Sequence, residues 1–288
     1  MNTQFRATLC GFAAILLWGC LAFLTDINRQ IPPFQLMAMS FATGFAVIAL
    51  KWKLTGQNAI ALFKQPSATW ALTLFGLFGY HFFYFMALRT APVLQAGLIA
   101  YLWPLFIVLL ATRLHNSPVK PLLIAGSVLS LAGCWLLIYR TGMQLSTQHI
   151  WGYVFAIACA LIWSLYSVLS SKRTQVPSDF IGWGCGVTAL LALVCHIALE
   201  QTLWPLSSSQ WLGILLLGAG PVGIAFVAWD HGMKKGNLPL LGSLSYLAPL
   251  LSTLILIVWA DVQVTGQLLL GGLMILGGAI MAATTTNK

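Results

Sequence analysis

Ten long apolar runs constrain this chain more than any other feature of its sequence. They lie at roughly 7–25, 34–50, 69–88, 93–112, 121–139, 150–170, 180–199, 210–230, 239–259 and 264–283. Each approaches the ~20 residues that a helix needs to cross a bilayer. The runs are too uniformly apolar for the alternating strands of a barrel. A backbone in lipid must also satisfy its own hydrogen bonds, which leaves helices. Only 7% of the 288 residues are charged, so an aqueous surface could not cover so much apolar side chain. The first run follows Arg6 and ends at Thr25-Asp26 with no small-x-small cleavage site, so it reads as an uncleaved span. Turn formers mark the links: Pro32-Pro33, Pro66-Ser67, Asn116-Ser117-Pro118, Thr141-Gly142, Pro177-Ser178 and Lys235-Gly236-Asn237.

The net charge of +9 reads as topology. With the N-terminus inside, eleven basic residues fall on the cytoplasmic side: Arg6, Lys51, Lys53, Lys64, Arg113, Lys120, Lys172, Arg173, Lys234, Lys235 and Lys288. Three, Arg29, Arg89 and Arg140, fall outside. That bias fits an even number of spans with both termini cytoplasmic. No dense basic patch suits a phosphate backbone, so nucleic acid is not an expected partner. The six cysteines all lie within apolar runs, with no CxxC pair and no Cys/His metal spacing. They read as small buried hydrophobes, and neither metal nor cofactor is expected.

The two halves align without gaps at an offset of 145 residues. Tyr101-Leu102-Trp103-Pro104-Leu105 matches Tyr246-Leu247-Ala248-Pro249-Leu250; Gly97, Gly126 and Gly133 match Gly242, Gly271 and Gly278; Trp18 matches Trp163. Five spans per copy is an odd number, so the second copy enters the membrane from the opposite side. The expected fold is therefore an all-α polytopic membrane protein of ten transmembrane helices, with inverted five-helix repeats at 1–144 and 145–288 around a central cavity. Such repeats suit alternating access to one site.

This arrangement, with a proline-containing fourth helix in each half, resembles the drug/metabolite transporter superfamily in its EamA-type branch. Ala100-Tyr101-Leu102-Trp103-Pro104, together with Trp18, is similar to the YddG-type aromatic amino acid exporters. The resemblance implies a bacterial inner-membrane carrier that exports amino acids and related metabolites, with lipid and a small-molecule substrate as its partners. A monomer is compatible with it.

Several residues carry the expected site. Tyr80 and Tyr84, four apart, share a helix face with His81 on its flank. Aromatic rings with polar tips suit an aromatic ligand, and an ionisable group inside a span is a functional candidate. His81, with a reference pKa of about 6.5, is also the candidate for any proton coupling. In the fourth span Gly97, Tyr101 and Pro104 fall on one face, with Trp103 beside them; Gly242, Tyr246 and Pro249 repeat this in the ninth. Pro104 and Pro249 each free a carbonyl that needs another partner, and Ser243 and Ser245 are near. Trp163, Ser164, Tyr166, Ser167 and Ser170 follow in the sixth span, and Trp18 occupies the matching place in the first. The expected substrate-binding set is thus Trp18, Tyr80, His81, Tyr84, Tyr101, Trp103, Trp163, Ser164, Ser243 and Tyr246.

Asp230 and Lys234 read as a local ion pair at the membrane surface, Glu200 and Asp261 as solvated, and His196 as lacking a partner. Mid-span lysine and arginine are missing, which excludes phosphorylated cargo. The first span has no glutamate of the kind used by small cationic-drug antiporters. No Gly-x-Ser-x-Gly elbow or phosphate loop appears, so an enzyme is not expected. A multidrug exporter, whose aromatic walls would stack on lipophilic cations, is the alternative; a membrane enzyme or sensor is more remote.

Overall fold

Each apolar run forms a helical span. The spans are α1 Thr3–Ile27, α2 Pro33–Thr55, α3 Ser67–Thr90, α4 Val93–Leu114, α5 Pro121–Ile138, α6 Thr147–Ser171, α7 Ser178–Leu199, α8 Ser208–Lys235, α9 Leu238–Trp259 and α10 Gly266–Thr285. The structure, a computed structural model, describes residues 2–114, 120–139, 145–259 and 264–286. Asn116-Ser117-Pro118, Arg140, Thr141-Gly142, Asp261 and Lys288 lie outside them. Large apolar side chains such as Leu190, Val194 and Ile197 on α7 and Leu273 and Ile280 on α10 are exposed, as lipid-facing surfaces require.

Four interruptions recur at the 145-residue offset. In α3 the helix loosens into a π turn at Phe75–Gly79, and in α8 at Gly218–Ile224. In α4 the helix stops at Ala100 and restarts at Trp103; in α9 it stops at Leu244 and restarts at Leu247. The prolines explain the second pair, because Pro104 and Pro249 cannot donate to the preceding turn.

Helices matched by the offset also pack against each other. Along α5 and α10, Lys120 Nζ donates to Thr285 O (2.6 Å), Ser130 Oγ to Ile275 O (3.2 Å), and Gln267 Nε2 to Leu136 O (2.6 Å). Numbers rise along α5 as they fall along α10, so the two matched helices run antiparallel. Gly126 meets Gly278 and Gly133 meets Gly271. All four are small residues at a close crossing, where backbone touches backbone.

The pair α2 and α7 is clamped at both ends. Pro32 precedes α2 and makes no side-chain cap. Glu200 serves instead, accepting the N–H groups of Phe34 (3.0 Å) and Gln35 (3.1 Å). An anion at a helix start satisfies orphan donors and the helix dipole together. At the other end Asp179 takes Lys51 and Gln57 Nε2 (2.9 Å). The expectation that Glu200 is solvated is corrected: its side chain is 5% exposed. His196 likewise has partners, with Nδ1 3.0 Å from Glu200 Oε2 and Nε2 2.9 Å from Thr202 Oγ1. The chain after α7 folds back onto the start of α2, which sequence spacing does not reveal.

Gly133→Ala would place a methyl 2.6 Å from Gly271 O and 2.8 Å from Met274 Cβ. The backbone there has little room to yield. A loss of about 1–3 kcal/mol is expected, read as a lower midpoint of thermal unfolding in detergent.

Candidate substrate site

At mid-membrane four tryptophans close on one another. Trp18 of α1 lies 6.2 Å from Trp103 of α4, 5.8 Å from Trp163 of α6 and 5.0 Å from Trp229 of α8. Phe226 completes the group, 6.1 Å from Trp18. All five are buried. Their polar edges are bonded: Trp18 Nε1 donates to Pro221 O in the π turn of α8 (3.0 Å), and Trp229 Nε1 to Ser167 Oγ (3.1 Å). Ser164 Oγ donates to Trp103 O (3.1 Å). Trp18, Trp103, Trp163 and Ser164 therefore form a packed floor. Trp229 and Phe226 were missed by sequence reasoning, although Trp229 stands at the offset position of Tyr84.

Tyr80 rests on this floor, its ring 5.5 Å from Trp163, and Tyr84 stacks above it at 6.0 Å and 3°. His81 stands edge-on to Tyr80, their rings 5.0 Å apart. Its Nδ1 donates to Leu77 O (2.6 Å) in the π turn of α3, and its ring lies 5.1 Å from Phe41 and 6.0 Å from Phe226. From Tyr80 to Met86 every residue is half-buried, none fully buried and none fully exposed. A helix packed on one face alternates between the two extremes. Every residue from Tyr80 to Met86 thus keeps some access.

Tyr101 is also half-buried, and one turn earlier a Cβ placed on Gly97 would meet nothing within 4 Å. The offset partners behave oppositely. A Cβ on Gly242 would lie 2.8 Å from Ile107 Cγ2, and Tyr246 is fully buried. The matched aromatic residues of α3 and α8 differ in the same sense, since Trp229 is enclosed where Tyr84 is half-buried. At the Gly242 end, the first part of α9 packs on α4 and α8 packs on both α1 and α6. At the Gly97 end the matching contacts, α4 on the second part of α9 and α3 on α1, have no comparable packing among the described residues. Tyr80, Tyr84 and Tyr101 thus keep partial access near the tryptophan cluster, with open space at the Gly97 Cβ position.

Two repeats of one family profile match the chain, at residues 5–139 and 150–284, described as the EamA-like transporter family. The chain belongs to the EamA-like transporter family. The two matches are displaced by 145 residues at both ends, the offset at which the interruptions recur. A relative from Ancylobacter novellus, "Aromatic amino acid exporter YddG", is 45% identical over 98% of each chain. An Escherichia coli K12 protein of the same name is 25% identical over 99% of each. A solved crystal structure, 43% identical, superposes with a TM-score of 0.94 over 100% of both chains.

The other expected residues of this EamA-like transporter fall in packed regions. The Leu105 N–H donates to the Tyr246 hydroxyl (3.2 Å), so Tyr246 bonds the chain just beyond Pro104. Ser243 is fully buried, with no hydrogen-bond partner for its Oγ among the described residues. Ser245 Oγ donates to Leu241 O in its own helix (2.8 Å). The Asp230–Lys234 pair forms (2.6 Å), but not at an exposed surface: the side chains are 1% and 5% exposed. Helix α8 runs on to Lys235, beyond the apolar run, and carries the pair under α6.

The two matched glycines give a test. Gly97→Leu should leave thermal stability near that of the parent while filling the open space there, whereas Gly242→Leu should lower the unfolding midpoint through collision with Ile107. Parallel thermal unfolding of both variants checks this.

Proposed function

We propose that this protein exports aromatic and other neutral amino acids, and related metabolites, across a bacterial inner membrane with both termini cytoplasmic. What supports the reading is the Tyr80–Tyr84 stack beside the tryptophan cluster and the open space at Gly97, in a chain of a transporter family; these residues and Tyr101 would line the cleft that takes the substrate. Aromatic surfaces bind an aromatic side chain by stacking and burial. The 45% identical relative, named as an aromatic amino acid exporter, supports the same cargo. The basic-residue bias supports the orientation, which puts the Gly97 end outside.

Segments 1–144 and 145–288 would act as inverted copies, rocking to expose the cleft to each side in turn. The antiparallel packing of α5 on α10 supports this reading. The multidrug alternative lacks a counter-charge: Tyr80, Tyr84, Gly97 and Tyr101 bring no carboxylate to the cleft.

Purified protein in liposomes should carry phenylalanine and tryptophan down a gradient faster than empty vesicles, and lipophilic cations should compete weakly. Equal flux with and without protein would end the proposal.

His81→Gln keeps a donor for Leu77 O and removes the titratable ring. Any dependence of flux on a pH gradient should vanish in that variant. A dependence that survives would place the coupling proton elsewhere.

A further inference from the structure

The 145-residue offset permits the two ends of the molecule to be compared position by position. What is present at only one end then stands out. At the Asp230 end, Trp229 Nε1 donates to Ser167 Oγ (3.1 Å) and Ser170 Oγ donates to Asp230 Oδ1 (2.6 Å). Lys234 Nζ lies 2.6 Å from Asp230 Oδ2 and donates to Val176 O (2.9 Å) in the link after α6. Arg173 in the same link donates to Thr69 Oγ1 of α3 (2.8 Å). These bonds tie α8 and α3 to α6 and its following link.

The matched positions at the Gly97 end are Tyr84 for Trp229, Ala22 for Ser167, Thr25 for Ser170 and Phe85 for Asp230. Ala22 and Phe85 have no polar side-chain atom to offer. The Thr25 hydroxyl is taken by its own helix, bonding Leu21 O (2.7 Å) and Ala22 O (3.1 Å). The matched positions therefore cannot reproduce this polar set.

We propose that Ser167, Ser170, Trp229 and Asp230 form a latch that holds the Asp230 end shut and sets the resting preference for the state open at the Gly97 end. The proposal rests on the alternating-access reading. Opening the Asp230 end breaks the two α8–α6 bonds and uncovers a buried carboxylate. Closing the Gly97 end restores none of them, because Ala22 and Phe85 cannot bond. Near-symmetric halves thus give two states of unequal energy. A buried hydrogen bond left unmade is costly enough to shift a two-state population markedly.

The test uses full-length protein with its six cysteines replaced, and one reporter, Thr73→Cys. Thr73 is buried, and it lines a small enclosed pocket with Thr69, Ser170, Arg173, Asp230 and Lys234. A water-soluble maleimide should label it slowly while the latch is intact. In Ser167→Ala and in Asp230→Asn, labelling should speed up about tenfold for each lost buried bond. A second reporter, Gly97→Cys, should label readily in the latched protein and more slowly in the double variant. Should Asp230→Asn fail to fold, Ser167→Ala and Ser170→Ala decide. Unchanged Thr73→Cys labelling in variants with the parent's unfolding midpoint would overturn the latch. Labelling is read without substrate, so failure of amino acid flux in liposomes tells against the transport reading alone.

Discussion

Within a bilayer a broken helix must find partners for the backbone groups it releases, because no water is there to take them. The rest of this structure depends on that constraint. At each interruption described here a side chain from another span, or from a neighbouring turn, makes the bond. Ser252 Oγ of α9 donates to Gly19 O where α1 breaks at Cys20 (2.7 Å). Trp18 bonds the π turn of α8, and His81 bonds the π turn of its own span. Tyr246 and Ser164 bond the chain around the break in α4. The breaks in α1, α4 and α8 are therefore points where one span is registered against another. Several of the residues that looked like ligand groups in the sequence are spent on this registration.

The consequence is a division between frame and moving parts. The α5–α10 crossing depends on matched glycines in backbone contact, and α2–α7 is tied by carboxylates at both ends. Those pairs make equivalent contacts on both sides of the molecule and have little freedom to shift. Spans α3, α4, α8 and α9 carry the paired interruptions, and they are the spans whose contacts differ between the ends. A π turn stores an extra residue in a helix, and such turns recur at functional segments. Two of them stand at matched positions, in α3 and α8.

The spans were legible because apolar length is a strong signal, and the repeat because one offset held without gaps. That Tyr80 and Tyr84 share one face of α3 was legible by helical spacing. The π turns were not, since Phe75–Gly79 and Gly218–Ile224 leave the apolar pattern unchanged while altering its phase. Glu200 looked solvated because it stands just past a span; besides His196 one turn earlier, its partners are the N–H groups of Phe34 and Gln35, some 165 positions earlier. Asp230 looked superficial because charge usually ends a span. Here its partner one turn on is buried with it, and α6 covers both. Trp18, Trp103 and Trp163 were singled out, but whether a tryptophan lines a cavity or closes it depends on Trp229, on a different span from all three.

The use of acidic groups bears on cargo. The chain has only five, and Asp179, Glu200 and Asp230 are each committed to a tie near the end of a span. Such commitments leave the cleft to be furnished by rings, hydroxyls and backbone dipoles. A lipophilic cation gains from ring faces, but once desolvated it still lacks the carboxylate that would repay its lost hydration. A zwitterion differs, because its ammonium and carboxylate partly compensate each other and each can be met by a helix end or hydroxyl. Its aromatic side chain then supplies the binding area that the tyrosine stack and tryptophan floor can complement. On this argument the scarcity of charge that marks the chain as a membrane protein also selects for a neutral, ring-bearing cargo over a charged one.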